Sequence, residues 1–136
     1  MKKRNVCEWE QVYFEAKIEI SKLKNQFPDE YLFGDELGHS LESSIANIYQ
    51  TFGGKDLYPS LEEKAAMLFY SVIKNHSIVS GDKRIASALF KWFLTREGYN
   101  ISKIDDDELE VLTSVIAKSD NRLKDKIIER IKKIIT

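Results

Sequence analysis

Residues 65–94, AAMLFYSVIKNHSIVSGDKRIASALFKWFL, decide the fold. From Ala65 to Ile73 the chain is apolar on almost every face of a helix, the pattern of a helix enclosed by others. The run DKRIASALFKWFLTREG is equally apolar in its middle, and Gly98 closes it as a C-terminal cap. Two enclosed helices hold the six residues between Asn75 and Asp82 rigidly, at an end of the bundle where backbone must reach the surface. Ser60 with Glu63 three residues later has the spacing of a capping box, so the first of these helices begins near Ser60. Residues 60–98 therefore read as a central helix-loop-helix.

Working outward, Trp9, Tyr13, Ala16, Ile20 and Leu23 recur at helical steps and predict an N-terminal helix over about Val6 to Gln26, ended by Pro28. A stripe this short packs on a core rather than seating a partner helix or a second copy. Leu41, Ile45, Ile48 and Tyr49 give a second helix, and QTFGGKDLYPS reads as loop from its paired glycines and proline. DDDELEVLTSVIAKSD and NRLKDKIIERIKKIIT read as two further helices, acidic residues opening the first and basic residues closing the second. With 136 residues, 43% of them hydrophobic, and only 6 Gly and 2 Pro, the expectation is one all-α domain over 1–136, with residues 1–30 carrying the N-terminal helix.

Lys+Arg number 21 against 22 Asp+Glu, so no overall field favours nucleic acid and any anion site must be local. Cys7 stands alone and cannot form an internal disulfide, and charges interrupt MKKRNVCEWEQVYF where a signal peptide needs an apolar core; the expectation is a cytoplasmic chain. No apolar run reaches the roughly 20 residues that span a bilayer. RLKDKIIERIKKIIT has acidic breaks at Asp125 and Glu129, so Ile127, Ile131 and Ile134 dock on the domain rather than on a membrane. His39 reads as structural, and DDDELE as a helix start, since it lacks the alternating ligands and glycine of a calcium loop.

The loop between the central helices carries the chemistry. Backbone amides at the start of the second helix lack intrahelical partners and bear the positive end of the helix dipole, which suits a phosphate. Gly81 lets a ligand approach, while Lys83 and Arg84 add charge, Arg84 as a fork matching phosphate oxygens. His76, on the opposite lip, could accept a proton from an attacking hydroxyl. The plainer alternative makes His76 a capping residue, Asp82 an N-cap and Lys83-Arg84 solvated surface.

HSIVSGDKR resembles the signature of the Fic/Doc family, an all-α fold with the motif His-x-Phe-x-Asp/Glu-Gly-Asn followed by Gly-Arg or, in the death-on-curing branch, Lys-Arg; His76, Gly81, Lys83 and Arg84 fall on their motif positions. LESSIANIYQTFGGKDLYPSLEEKAAMLFYSVIKNH is further similar to the carboxyl-terminal Fic/Doc domain of RhuM-type virulence proteins, a likeness running from about Leu32 to Gly98. The resemblance implies transfer of a nucleotidyl or phosphoryl group from ATP, with magnesium, to a protein hydroxyl. It makes His76 the base and Gly81, Asp82, Lys83 and Arg84 the phosphate site. Gly53, Gly54, Lys55, Asp56, Leu57 and Tyr58 become part of a flap that aligns the target segment as an added strand. It also implies a protein substrate and, since no inhibitory-helix motif is present, an antitoxin-like partner chain. Ser87, where longer motifs have a second arginine, favours the death-on-curing branch.

Three motif positions differ. Ser80 replaces the acidic magnesium ligand, Asp82 the asparagine and Ile78 the phenylalanine. Asp82 sets a negative charge where phosphate is received, a repulsion of about 1 kcal/mol in water at about 4 Å and about 4 kcal/mol at an effective dielectric of 20. It could instead ligate the metal that Ser80 cannot. The two expectations are an attenuated family transferase and an inactive Fic-fold module that binds nucleotide or protein.

Overall fold

The α3 helix, Leu61–Lys74, is the centre of the molecule: every residue from Lys64 to Ile73 is buried. In this computed structural model, residues 8–27, 39–75 and 81–135 are described, the side chain of Asp82 excepted. Around α3 stand α1 (Glu8–Lys24), α2 (Ser40–Ile48), α4 (Asp82–Arg96), α5 (Asp106–Lys118) and α6 (Lys124–Ile135), an all-α bundle. α3 touches α2, α4, α5 and α6 directly. No helix among the described residues is long and apolar enough to cross a membrane.

The helix boundaries follow local chemistry. The Ser60 hydroxyl accepts from the Glu63 amide at 3.0 Å while the Glu63 carboxylate accepts from the Ser60 amide at 3.3 Å, the reciprocal capping box expected from the spacing. At the far end of α4, Gly98 takes φ +93°, with its amide bonded to Thr95 O and the Tyr99 amide bonded back to Leu94 O. That paired closure is a Schellman motif, and it is available because glycine enters the left-handed region without a Cβ penalty. α5 opens on Asp105, whose carboxylate accepts from the Asp107 amide, so the acidic run is a helix start as expected.

The N-terminal helix is described from Glu8, the expected start near Val6 lying outside the described residues, and its helical span ends at Lys24 rather than Gln26. Its buried stripe is Val12, Ala16 and Ile20, with Trp9, Tyr13 and Leu23 half-buried along the same core. The C-terminal segment NRLKDKIIERIKKIIT is a 3-10 turn, Asn121–Leu123, running into α6. Ile127 and Ile131 are buried and Ile134 packs beside them, so the helix docks on the domain.

The stretch read as loop contains strands. Thr51–Phe52 (β1) and Lys55–Asp56 (β2) pair antiparallel, Thr51 opposite Asp56 and Phe52 opposite Lys55. Gly53 and Gly54 turn the chain at φ +62° and +81°, the two positive values a tight hairpin turn of matching twist requires.

α1 is tied to α4 by Arg96, whose guanidinium donates to Glu15 at 2.7 Å and also pairs with Glu97. The bond from Arg96, seconded by one from Gln11, holds the Glu15 carboxyl below its ordinary value. A carboxyl lowered on folding stabilises the fold above its unfolded pKa of about 4.3 and loses that contribution as pH falls through the lowered value. Glu15→Gln is therefore expected to flatten the fall of melting temperature between about pH 5 and about pH 3. An acid limb of unchanged slope in the variant would contradict this.

Candidate active site

α3 and α4 leave the core side by side, and residues 75–81 join their ends. Asn75 caps α3, with its amide bonded to Ser71 O, while its carbonyl accepts from the Ser40 hydroxyl at 3.3 Å and its side-chain nitrogen lies 3.4 Å from Ser44 Oγ. The entry to the loop is thus fastened to α2. Its exit is Gly81, the N-cap of α4 at φ +80°. The first intrahelical bond of α4 runs from the Ile85 amide to Gly81 O at 2.8 Å, so helix geometry leaves the amides of residues 82–84 without intrahelical acceptors. A helix end of this kind is where the sequence reading expects an anion.

Gly81, Lys83 and Arg84 line one groove of about 680 Å³ between α4 and α5, together with Ser87 and, across from them, Glu110 and Thr113. Lys83 and Arg84 are exposed, and the Arg84 guanidinium lies 4.7 Å from the Phe27 ring centroid at the end of α1. The structure therefore brings Gly81, Lys83 and Arg84 to one place. His76, Ile78 and Ser80, and the Asp82 side chain, lie outside the described residues.

The loop predicted to be a flap, Gly53 to Tyr58, is the hairpin tip and its return. Residues 51–57 are exposed, Phe52 at 84%, and among the described residues no further strand pairs with β1–β2. Two-residue strands with an unpaired edge can accept an extended segment by backbone bonding.

A second cavity was not foreseen. Between the hairpin, α2, α3 and the start of α6 lies a cleft of about 490 Å³ bordered by Asn47, Gln50, Tyr58, Met67, Tyr70 and Asn121, with Lys74 and Asn75 also on its wall. Four side-chain amides beside an aromatic ring and a thioether suit a flat heterocycle that offers both donors and acceptors. Tyr70 is only 4% exposed, and its hydroxyl has no hydrogen-bond partner among the described residues. Burial pushes its pKa up, so the hydroxyl is a neutral donor. Lys74 fixes the outer wall: its ammonium donates to Ile116 O at 3.3 Å and to Ser119 O, holding the turn that presents Asn121. Sequence spacing could not reveal Asn121, which lies 45 residues beyond His76. The amides near the end of α2 carried the only local signal.

Among the described residues no group of three His, Cys, Asp or Glu side chains could hold a metal ion. His39 is an exposed cap residue whose Nδ1 lies 3.2 Å from Glu42, consistent with a structural role.

A helical bundle built on two central helices, with a β-hairpin leading into the first of them and an open helix N-terminus beginning the second, defines the class. A family profile described as Fic/DOC family matches residues 3–94, and the chain belongs to that family. The match takes in α1 as well as the region first recognised, and stops at Leu94. The chain is 37% identical over 81 residues to Toxin Doc of Mycolicibacterium smegmatis (strain ATCC 700084 / mc(2)155), an alignment covering 59% of this chain and 62% of that protein. The chain thus matches less than two thirds of that relative's length. No solved structure matches it.

Two substitutions test this geometry. Gly81→Ala forces a Cβ into the left-handed region and is expected to cost about 1 kcal/mol of stability, read in urea titrations; no loss would mean that Gly81 does not hold this conformation. Tyr70→Phe removes a buried hydroxyl that makes no hydrogen bond of good geometry and feels only a weak pull from Ser119, so stability should hold or rise by about 1 kcal/mol. A variant less stable than the parent would show the hydroxyl to be already satisfied.

Proposed function

We propose that this chain is a nucleotide-dependent transferase that moves the γ-phosphoryl group of ATP onto a serine or threonine hydroxyl of a target protein. Three observations carry the reading: the helix N-terminus at Gly81, the amide-rich cleft that Asn75 and Asn121 border, and the exposed hairpin Thr51–Asp56. In this reading the base occupies the cleft beside Asn121 and Gln50, and the phosphates meet the amides of residues 82–84 with Lys83 and Arg84. The target segment adds to the flap formed by Gly53 to Tyr58.

His76 takes the proton of the target hydroxyl as its oxygen bonds to the γ-phosphorus. The bond from that phosphorus to the β-phosphate bridging oxygen breaks and ADP leaves. Asp82 would hold a magnesium ion carried by the nucleotide, since Ser80 is a poor ligand, and the ion would offset the charge of the phosphates. Phosphoryl rather than nucleotidyl transfer is favoured by Ser87, which lines the α4 groove where longer family motifs carry arginine. The likeness of residues 41–76 to RhuM-type domains is the finer part of the same reading. Toxin character comes from the relative's name, and an antitoxin-like partner and a cytoplasmic setting are proposed beside it.

A second reading, an inactive Fic-fold binding module, is favoured by one specific observation: the helix that would receive phosphate begins at an acidic residue, Asp82. Incubating the chain and magnesium with host lysate and ATP labelled at the α or γ phosphate separates the two. The transferase reading expects γ label on a protein band, lost in His76→Ala. Label from the α position would mean adenylylation instead. Transfer by Ser80→Asp/Asp82→Asn alone would establish the binding module, and silence from both chains would remove the transferase reading.

A further inference from the structure

One charged side chain among the described residues is buried, and it lies outside the phosphate site. Lys64, in the first turns of α3, is 5% exposed. Taking an ammonium out of water costs several kcal/mol unless close partners compensate it, so the position of its partners shows what the burial serves. The Lys64 ammonium donates to Tyr58 O and to Asp56 Oδ2 at 3.3 Å, and it lies 5.6 Å from the Tyr49 ring centroid. Tyr49 stands two residues before β1, Asp56 ends β2 and Tyr58 begins the return to the body. All three partners belong to the hairpin or its roots.

The hairpin has little else to hold it. Its strands are two residues each, far too short for independent stability. A Cβ added at Gly53 or Gly54 would meet nothing within 4 Å, so among the described residues nothing packs against the tip at these two positions. Behind it lies a cavity of about 390 Å³ bordered by Trp9, Tyr49, Asp56 and Lys64, space into which an untethered hairpin could lean. The Leu57 amide bonds to Gln50 O at 2.8 Å, which closes the hairpin's base upon itself without fixing it to α3.

We propose that Lys64 is the positioning residue of the flap, a buried tether from α3 that sets the height and tilt of the open hairpin edge against which a target segment is aligned. The use of that edge rests on the transferase reading above; the tether itself does not. Tyr58 also borders the amide-rich cleft, so one ammonium fixes a cleft wall and the strand edge together. Asp56 is half exposed and neutralises Lys64 from the solvent side. The charge is thus bound by the flap rather than by the core.

Amide hydrogen exchange on the full-length chain decides the tether without any activity. Lys64→Met keeps the length and apolar stem of the side chain and removes the ammonium. Exchange across residues 51–58 should accelerate at least about tenfold while α4 amides keep their protection, because the ordered flap becomes a minority state. Asp56→Asn, a surface change that cannot unfold the core, should accelerate the same amides in the same direction. Unchanged flap exchange in both variants overturns the proposal. So does uniform acceleration throughout the chain in Lys64→Met with no flap response in Asp56→Asn.

With a labelled target in hand, Lys64→Met should raise the KM for that protein roughly tenfold and leave kcat within about twofold, since the target must first reorder the flap. A loss confined to kcat, with KM unchanged, would overturn the positioning role. Faster flap exchange in a chain whose wild type transfers nothing would remove the transferase reading and leave the tether standing.

Discussion

Phe69 of α3 meets Phe90 of α4 with ring centroids 5.0 Å apart and planes tilted by 42°, both side chains fully excluded from water. Aromatic pairs at this spacing contribute about 0.5–1.5 kcal/mol beyond the area they bury, and each ring removes a large apolar surface from solvent. Ile73, Ile85, Ala86 and Leu89 extend the same contact toward the loop that joins the helices, and all four are buried. The relative position of the two helix ends therefore follows from core packing, which tolerates little displacement. Everything proposed for the site depends on that constraint, since one helix end supplies the lip at Asn75 and the other the anion-binding amides.

Around this rigid pair, α3 uses lysines where its ends leave the core. Lys64 reaches the hairpin before the helix, and Lys74 reaches the turn after α5, so two carbonyls on opposite sides of one cleft are held by the same helix. A lysine donates up to three hydrogen bonds from a point charge, which suits capture of irregular backbone better than a planar fork does. The cleft is thereby referenced to the helix that carries the loop, and its width does not depend on the exposed hairpin tip.

The helical content was legible because it rests on periodicity and caps. Ser60 with Glu63, Gly98 and the acidic start at Asp105 each have a local mechanism, and each appears where the spacing placed it. The hairpin was legible in part. Paired glycines marked a turn, but two strands of two residues leave no alternating pattern, and the Gly-Gly pair between Phe52 and Lys55 was the signal for strand pairing that the loop reading passed over. Of the site, Gly81, Lys83 and Arg84 were readable from one contiguous motif. The cleft was not, because Asn47, Gln50, Tyr70 and Asn121 come from separate elements that meet only through tertiary packing. Lys64 was hidden for the same reason: an isolated lysine before an apolar run looks like helix surface until its partners on the hairpin are seen.

The central claim is that the amides opening α4 and the cleft at Asn121 form a single nucleotide site. A crystal structure of the chain with magnesium and a non-hydrolysable ATP analogue tests it most directly. The account predicts phosphate oxygens within hydrogen-bond distance of the backbone at residues 82–84, and the base against Gln50, Tyr70 and Asn121. An analogue seated away from both places, or a chain that leaves the analogue unbound at millimolar concentration, would contradict it.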